Sequence, residues 1–343
     1  MPPSGAELPA FKAGSFDLLS PDSIVAAVEG ALGRPVDGTI VAYPSYVNRV
    51  YGLRIEDGEE VVAKFYRPGR WSRACILEEH RFLLDCAEAE LPVVAPLDLA
   101  GGESLGELVL EDDSGESSYH FAVFPKMGGR NFDAESDEDW LRLGSVLGRL
   151  HAVGGQRGAP ERAICDPESL TFPMMRELLR EHLVHPDFAA EFEDLGSRIL
   201  SLLQPRFKGL ASRRIHGDCH RGNILDRPGT GLLVIDFDDM MTGPAAQDLW
   251  LLLPDHAAEC RKELGLLVEG YEDFLVFDRR ELELVEGLRF MRMIYFLAWR
   301  ARQRGDLWFR MSFPDWGGKA FWATELEDLR DQAELVEESL RQG

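Results

Sequence analysis

The 343 residues carry 60 Asp and Glu against 37 Lys and Arg, a formal net charge of -23 at pH 7. A surplus of that size repels a polyphosphate backbone at long range and excludes a general nucleic-acid binder, so an anionic ligand needs a local basic pocket. Five scattered cysteines without a CxxC pair exclude a disulfide framework and a zinc ribbon, and the length suits two domains or one domain in two lobes.

The opening MPPSGAELPAF has neither a basic n-region nor an apolar h-region, and its first cation is Lys12. A cytoplasmic, reducing setting and a monomer are expected. The first third then alternates with period two in GTIVAY, RVYGLRI and EEVVAKFY, passes through the helical interval RACILEEHRFLLDCAEAE, and returns to β pattern on both sides of EDDSGESS, an acidic Gly/Ser turn. The segment FPKMGGRNF, with Pro125 and the Gly128-Gly129 pair, breaks both periods and reads as a linker.

From about Asp133 the period becomes 3.6, in DEDWLRLGSVLGRLHAVG, PMMRELLREHLV, FEDLGSRILSLLQPRF and LVEGLRFMRMIYFLAWRARQRG. MIYFLAW, Met293 to Trp299, is far shorter than the ~20 residues a bilayer crossing needs; a buried helix is expected there, and no membrane partner. The one β signal in this part is GNILDRPGTGLLVIDFDD, two apolar runs around a Pro/Gly turn, hence a hairpin. Asn223 lies where its first strand begins and Asp236 where its second ends, so such a hairpin folds both side chains to the same end.

Just before that hairpin stands RRIHGDCHRGNIL, Arg213 to Leu225, which admits two readings. His216, Cys219 and His220 could form a metal nest, although Gly217 and Gly222 bracket the run and argue against a zinc-binding helix. Alternatively, Asp218, Asn223 and Asp236, spaced by five and then thirteen residues, place one potential base beside two oxygen ligands for a hard cation. Magnesium takes such oxygens together with phosphate oxygens, and phosphoryl transfer needs a carboxylate to orient the acceptor hydroxyl. Asp218 and Asp236 are therefore the catalytic candidates, with Asn223 and Asp236 as the metal ligands. His216 reads as a packed histidine that orients the loop.

The same block resembles the catalytic and metal loops of the protein-kinase-like superfamily, H-R-D-x-x-x-x-N followed by D-F-G, here H-G-D-C-H-R-G-N and D-F-D. Gly217 and His220 are similar to the aminoglycoside-phosphotransferase-like branch, and Asp238 departs from the D-F-G pattern. YPSYVNRVYGL, VVAKFYRPGRW, ILEEHRFLL, FAVFPKMGGRNF, HGDCHRGNIL, GPAAQDLW and MIYFLAW together resemble the bacterial stress response kinase A (YihE/RdoA) family, over essentially Tyr43 to Arg300.

That resemblance implies an α+β, two-lobed protein-kinase-like fold: residues 1–124 as a small β-rich nucleotide-binding lobe, 125–131 as a hinge, and 132–343 as a larger helical lobe for catalysis and acceptor binding. It implies ATP and Mg2+ as cofactors and a Ser/Thr hydroxyl of a protein as acceptor, in a bacterial stress response. Lys64 would meet the α- and β-phosphates, with Glu79, or Glu78 one helical step away, as its carboxylate partner. The turn around Ser45 and Asn48 lacks G-x-G-x-x-G, so these side chains and the loop amides would cover the phosphates. Phe124, Lys126 and Met127 would line the purine at the hinge. Asp248, in GPAAQDLW, is expected to brace the catalytic loop through backbone amides. Rival readings are a kinase of a small molecule such as an aminoglycoside, choline or homoserine, a pseudokinase scaffold, and a zinc hydrolase centred on His216 and His220.

Overall fold

The computed structural model describes residues 16–45, 47–112, 115–304 and 307–342. Its contacts divide the described residues into two compact units: one comprises 16–132 together with 224–238, the other 133–223 together with 239 onward. A β-rich N-terminal part and a helical C-terminal part give the α+β class.

In the first unit, α1 (Pro21–Leu32) starts at a Ser20 capping box and precedes β1 (Val36–Tyr43), β2 (Arg49–Ile55) and β3 (Glu60–Phe65). Helix α2 (Arg73–Glu88) is capped by Ser72 and followed by β4 (Gly106–Asp112) and β5 (Gly115–Pro125). The strands form one antiparallel sheet in the order β1-β2-β3-β5-β4. Alternation sorts β3 between its two faces. Val61, Ala63 and Phe65 join Ile24 and Val28 of α1 in one core, which leaves Lys64 on the opposite face. The smaller cluster on that other side contains Tyr66, Ile76 of α2 and Ala122, the register partner of Lys64.

The hairpin legible in the sequence is present: β8 (Ile224–Arg227) pairs antiparallel with β9 (Gly231–Val234), Ile224 opposite Val234, and β6 (Arg130–Asn131) joins β8 at the edge. The chain enters this hairpin from Asn223 and leaves it toward Asp236.

In the second unit, α3 (Asp137–Gly154) packs closely on α7 (Arg261–Glu272). Further helices are α4 (Phe172–Arg180), α5 (Ala189–Leu203), α6 (Ala246–Trp250), α8 (Val285–Arg302), α9 (Leu307–Ser312) and α10 (Lys319–Gln342). A two-stranded ladder of β7 (Arg213–Ile215) and β10 (Met241–Gly243) anchors the segment after Ile215. The α8 stretch MIYFLAW is only partly buried: Ile294, Leu297 and Ala298 face the core, whereas Phe296 is exposed and stacks on Trp299 with 5.2 Å between centroids. The stretch is apolar all round, yet only one face of the helix there is fully buried. Among the described residues no helix is long and apolar enough to cross a membrane.

Candidate active site

Because β3 alternates, Lys64 points its ammonium toward α2 and is 9% exposed. A charge buried to that degree is costly unless compensated. Here three carboxylates compensate it: Lys64 Nζ lies 3.5 Å from Glu79 Oε1, 3.2 Å from Asp236 Oδ1 and 3.1 Å from Asp238 Oδ1. Burial by itself pulls the ammonium pKa down. Asp238, Glu79 and Asp236, in falling order, outweigh burial and hold it well above the ordinary lysine value. Of the two adjacent glutamates, Glu79 is the one that reaches Lys64, and Tyr66 Oη donates to the same Oε1 at 3.3 Å.

Asp238 was not among the site residues expected from the sequence. It is 4% exposed and bridges two cations, Lys64 through Oδ1 and Arg70 through Oδ2 at 3.2 Å. Asp236 differs: its side chain is 55% exposed, and its backbone sits at φ 62, a left-handed conformation that a short carboxylate tolerates better than most side chains.

The remaining residues expected to meet the nucleotide make contacts of their own. Asn48 is buried and its Oδ1 accepts from the Arg67 amide at 3.1 Å, tying the turn before β2 to the end of β3. Ser45 is half-buried in the same turn, where residue 46 is outside the described residues. Phe124 packs on the small cluster and meets His80 edge-on, so it has a core role whatever else it does. Lys126 pairs with Glu60 at 2.9 Å on the surface, and Met127 is exposed.

In the second unit, residues 216–223 form a tight loop. Gly217 has φ 82, and a Cβ there would come within 2.2 Å of the Asp239 carbonyl oxygen, so only glycine fits. Asp248 braces the loop as expected: its Oδ2 accepts from the His216 amide at 2.7 Å and its Oδ1 from the Gly217 amide at 2.8 Å. His151 of α3 completes this support through Nε2, 2.9 Å from the same Asp248 carboxylate.

The Asp218 carbonyl accepts from the His220 amide and from Asn223 Nδ2 at 2.9 Å, which closes the loop on itself. Since Nδ2 is used in this way, the Asn223 amide presents Oδ1 as its remaining polar atom. The Asp218 carboxylate, 20% exposed, receives Arg292 NH2 of α8 on Oδ1 at 2.5 Å. Its Oδ2 lies 3.7 Å from Nε2 of the half-exposed His220.

His216 is fully buried, and its Nδ1 accepts from the Asp218 amide at 3.3 Å. Cys219 is equally buried, and that burial pushes its thiol pKa well up. Among the described residues no group of three or more His, Cys, Asp or Glu side chains is arranged to hold a metal ion. Asn223, in the helical unit, has an amide oxygen and Asp236, in the β-rich unit, a carboxylate oxygen, and each taken by itself is a ligand type that a hard cation accepts.

A buried, carboxylate-paired lysine in a β-rich unit and a carboxylate held on a glycine-tight loop in a helical unit are the parts of a phosphotransferase. The model of the phosphotransferase enzyme family matches residues 39–285, and the chain belongs to that family. Stress response kinase A of Escherichia coli K12 is 37% identical over 327 residues, covering 94% of this chain and 95% of the relative. A relative in Salmonella typhimurium named serine/threonine protein kinase RdoA is 37% identical over 325 residues with the same coverage. Within the phosphotransferases the chain is thus a member of the stress response kinase A family. Solved structures share the fold: an amicoumacin kinase in complex with AMP-PNP, Ca2+ and Ami (TM-score 0.72, 18% identity, 91% of this chain and 93% of the other), and a microcompartment-associated aminopropanol kinase (TM-score 0.69, 17% identity, 94% and 98%).

Proposed function

We propose that this chain transfers the γ-phosphoryl group of ATP to a Ser or Thr hydroxyl of a protein, in a Mg2+-dependent reaction. The observation that carries the acceptor class is the 37% identity, across 94% of the chain, to a relative named a serine/threonine protein kinase. Identity to the antibiotic and amino-alcohol kinases is half as great.

Lys64, fixed by Glu79, binds the α- and β-phosphates as a point charge. The magnesium ion, when bound, neutralises charge on the phosphates; Asn223 and Asp236 would hold it. Asp218 orients the acceptor hydroxyl and takes its proton as the new O–Pγ bond forms and the bond from Pγ to the β-bridging oxygen breaks, releasing ADP. Ser45, Asn48 and the loop amides beside them cover the phosphates, and Phe124, Lys126 and Met127 border the base.

The test is phosphate transfer from Mg-ATP to dephosphorylated casein, set beside a panel of aminoglycosides, choline and homoserine. Casein labelled on Ser or Thr, with Asp218→Asn lowering kcat by about 10²–10⁴-fold while Mg-ATP affinity is retained, is the expected result. Turnover of a panel alcohol with unlabelled casein would move the acceptor to the small-molecule class, and an Asp218→Asn variant at the wild-type rate would remove the base.

A further inference from the structure

We propose that Arg292 is a positioning residue for phosphoryl transfer, selecting which oxygen of Asp218 meets the acceptor hydroxyl; this rests on Asp218 being the base. Arg292 lies on α8, seventy-four residues beyond the loop, and no kinase motif in the sequence includes it. It is nevertheless the side chain that grips the carboxylate, with NH2 at 2.5 Å from Oδ1.

The rest of the carboxylate's surroundings gives this contact its meaning. The Asp218 carbonyl is occupied by the His220 amide and Asn223, and the Asp218 amide by His216 Nδ1, so the backbone is fixed. Side-chain torsion is the remaining freedom, and Arg292 removes it. With Oδ1 engaged, Oδ2 is the oxygen left for a hydroxyl; its neighbour His220 Nε2, at 3.7 Å, stands beyond hydrogen-bonding distance.

Arg292 is itself held. Its guanidinium lies 4.9 Å from the centroid of the Tyr295 ring, and Tyr295 Oη donates to Asp239 Oδ1 at 2.7 Å, one turn along α8. Helix α8 thereby contacts both the Asp218 loop and the residue that follows Asp238 in sequence. A rigid helix that sets the rotamer of a base supplies orientation, which is worth a large factor in rate when the reacting atoms must sit within tenths of an ångström.

Substitution separates this role from mere stability. Arg292 lines a small cavity with Met241, Met291 and Leu288, so Arg292→Met keeps an apolar side chain of suitable length there and should fold. Transfer from Mg-ATP to casein and to water is measured for wild type, Arg292→Met, Arg292→Lys, Arg292→Ala and Asp218→Asn, with Mg-ATP affinity and thermal melting alongside. The expected result is a kcat loss of about 100-fold in Arg292→Met with KM for ATP within about twofold of wild type. Arg292→Lys, which keeps charge without the planar fork, falls between, and added guanidinium restores part of the Arg292→Ala rate.

Wild-type kcat in Arg292→Met with Asp218→Asn inactive would overturn this inference alone. So would a kcat loss that guanidinium does not relieve and that tracks lost Mg-ATP affinity or lost fold. Wild-type turnover in Asp218→Asn would instead overturn the base assignment beneath it.

Discussion

Asp238 stands where kinase-like metal loops often carry glycine, and its environment explains why a carboxylate is tolerated. Lys64 and Arg70 both lie within 3.2 Å of it, and all three side chains are nearly withdrawn from solvent. Such a triad stabilises less than its count of contacts suggests, because desolvation offsets most of the Coulomb gain. Removing one member is a different matter, since it leaves buried charge uncompensated. Asp238→Asn keeps the shape and deletes the charge; unfolding in urea should show a loss of about 3 kcal/mol. A change within experimental scatter would mean that the other partners of Lys64 and Arg70 suffice to neutralise them. Lys64 was legible in advance because an inward charge in an alternating strand is conspicuous. Asp238 was not, since its partner Arg70 is distant in sequence and lies in a loop without periodicity.

Among the helices, α3 and α7 approach so closely that a Cβ on Gly144 would lie 2.1 Å from the Leu267 carbonyl oxygen. Two effects of Gly144→Ala oppose each other. Helix propensity favours alanine by about 1 kcal/mol. The clash is with backbone, which cannot rotate aside as a side chain can, so the helices must separate, and overpacking of that kind costs about 1–3 kcal/mol. The clash should win, lowering Tm in a thermal melt; a rise in Tm would show that the α3–α7 contact yields easily. Helix α3 was legible from its 3.6 period, whereas α7 was not picked out in the sequence, and their closeness was not legible either, because glycine carries no hydrophobic signal. Element phase limited the site in the same way: choosing Glu79 over Glu78 required the orientation of α2 against the sheet, and Arg292 required α8 to be placed against a loop far away in sequence. The hairpin of β8 and β9 was legible because turn chemistry and alternation are local. That residues 224–238 cluster with the N-terminal unit was not, since this depends on contacts such as the bridge of Val93 to Val234.

Across the whole molecule the acidic surplus and His151 respond to pH in different ranges. Carboxylates titrate near about pH 4, so between about pH 7.5 and about pH 5.5 the net charge of -23 changes little through them. The imidazole of His151 in the unfolded chain does titrate in that range. Burial depresses its imidazole, and although Asp248 opposes the shift, the net direction is down. Its Nε2 faces Asp248 at 2.9 Å and its Nδ1 faces Tyr271 Oη at 3.2 Å, an arrangement that suits the neutral ring, Nε2–H donating and Nδ1 accepting. Arg213 and His216 nearby also disfavour a second positive charge. A depressed native pKa means that the unfolded chain binds the proton first. The stability that His151 contributes is therefore fully present above its unfolded pKa of about 6.5 and is lost as pH falls below it toward the native value. His120, half-buried and shifted down by desolvation, acts in the same direction, so a variant is needed to isolate His151. Urea midpoints of the wild type should drop from about pH 7.5 to about pH 5.5, and the drop should be smaller in His151→Gln, whatever that variant's absolute stability. Parallel slopes in the two proteins would mean that His151 accepts its proton in the folded state, and that the network from α3 through Asp248 to the Asp218 loop opens to water.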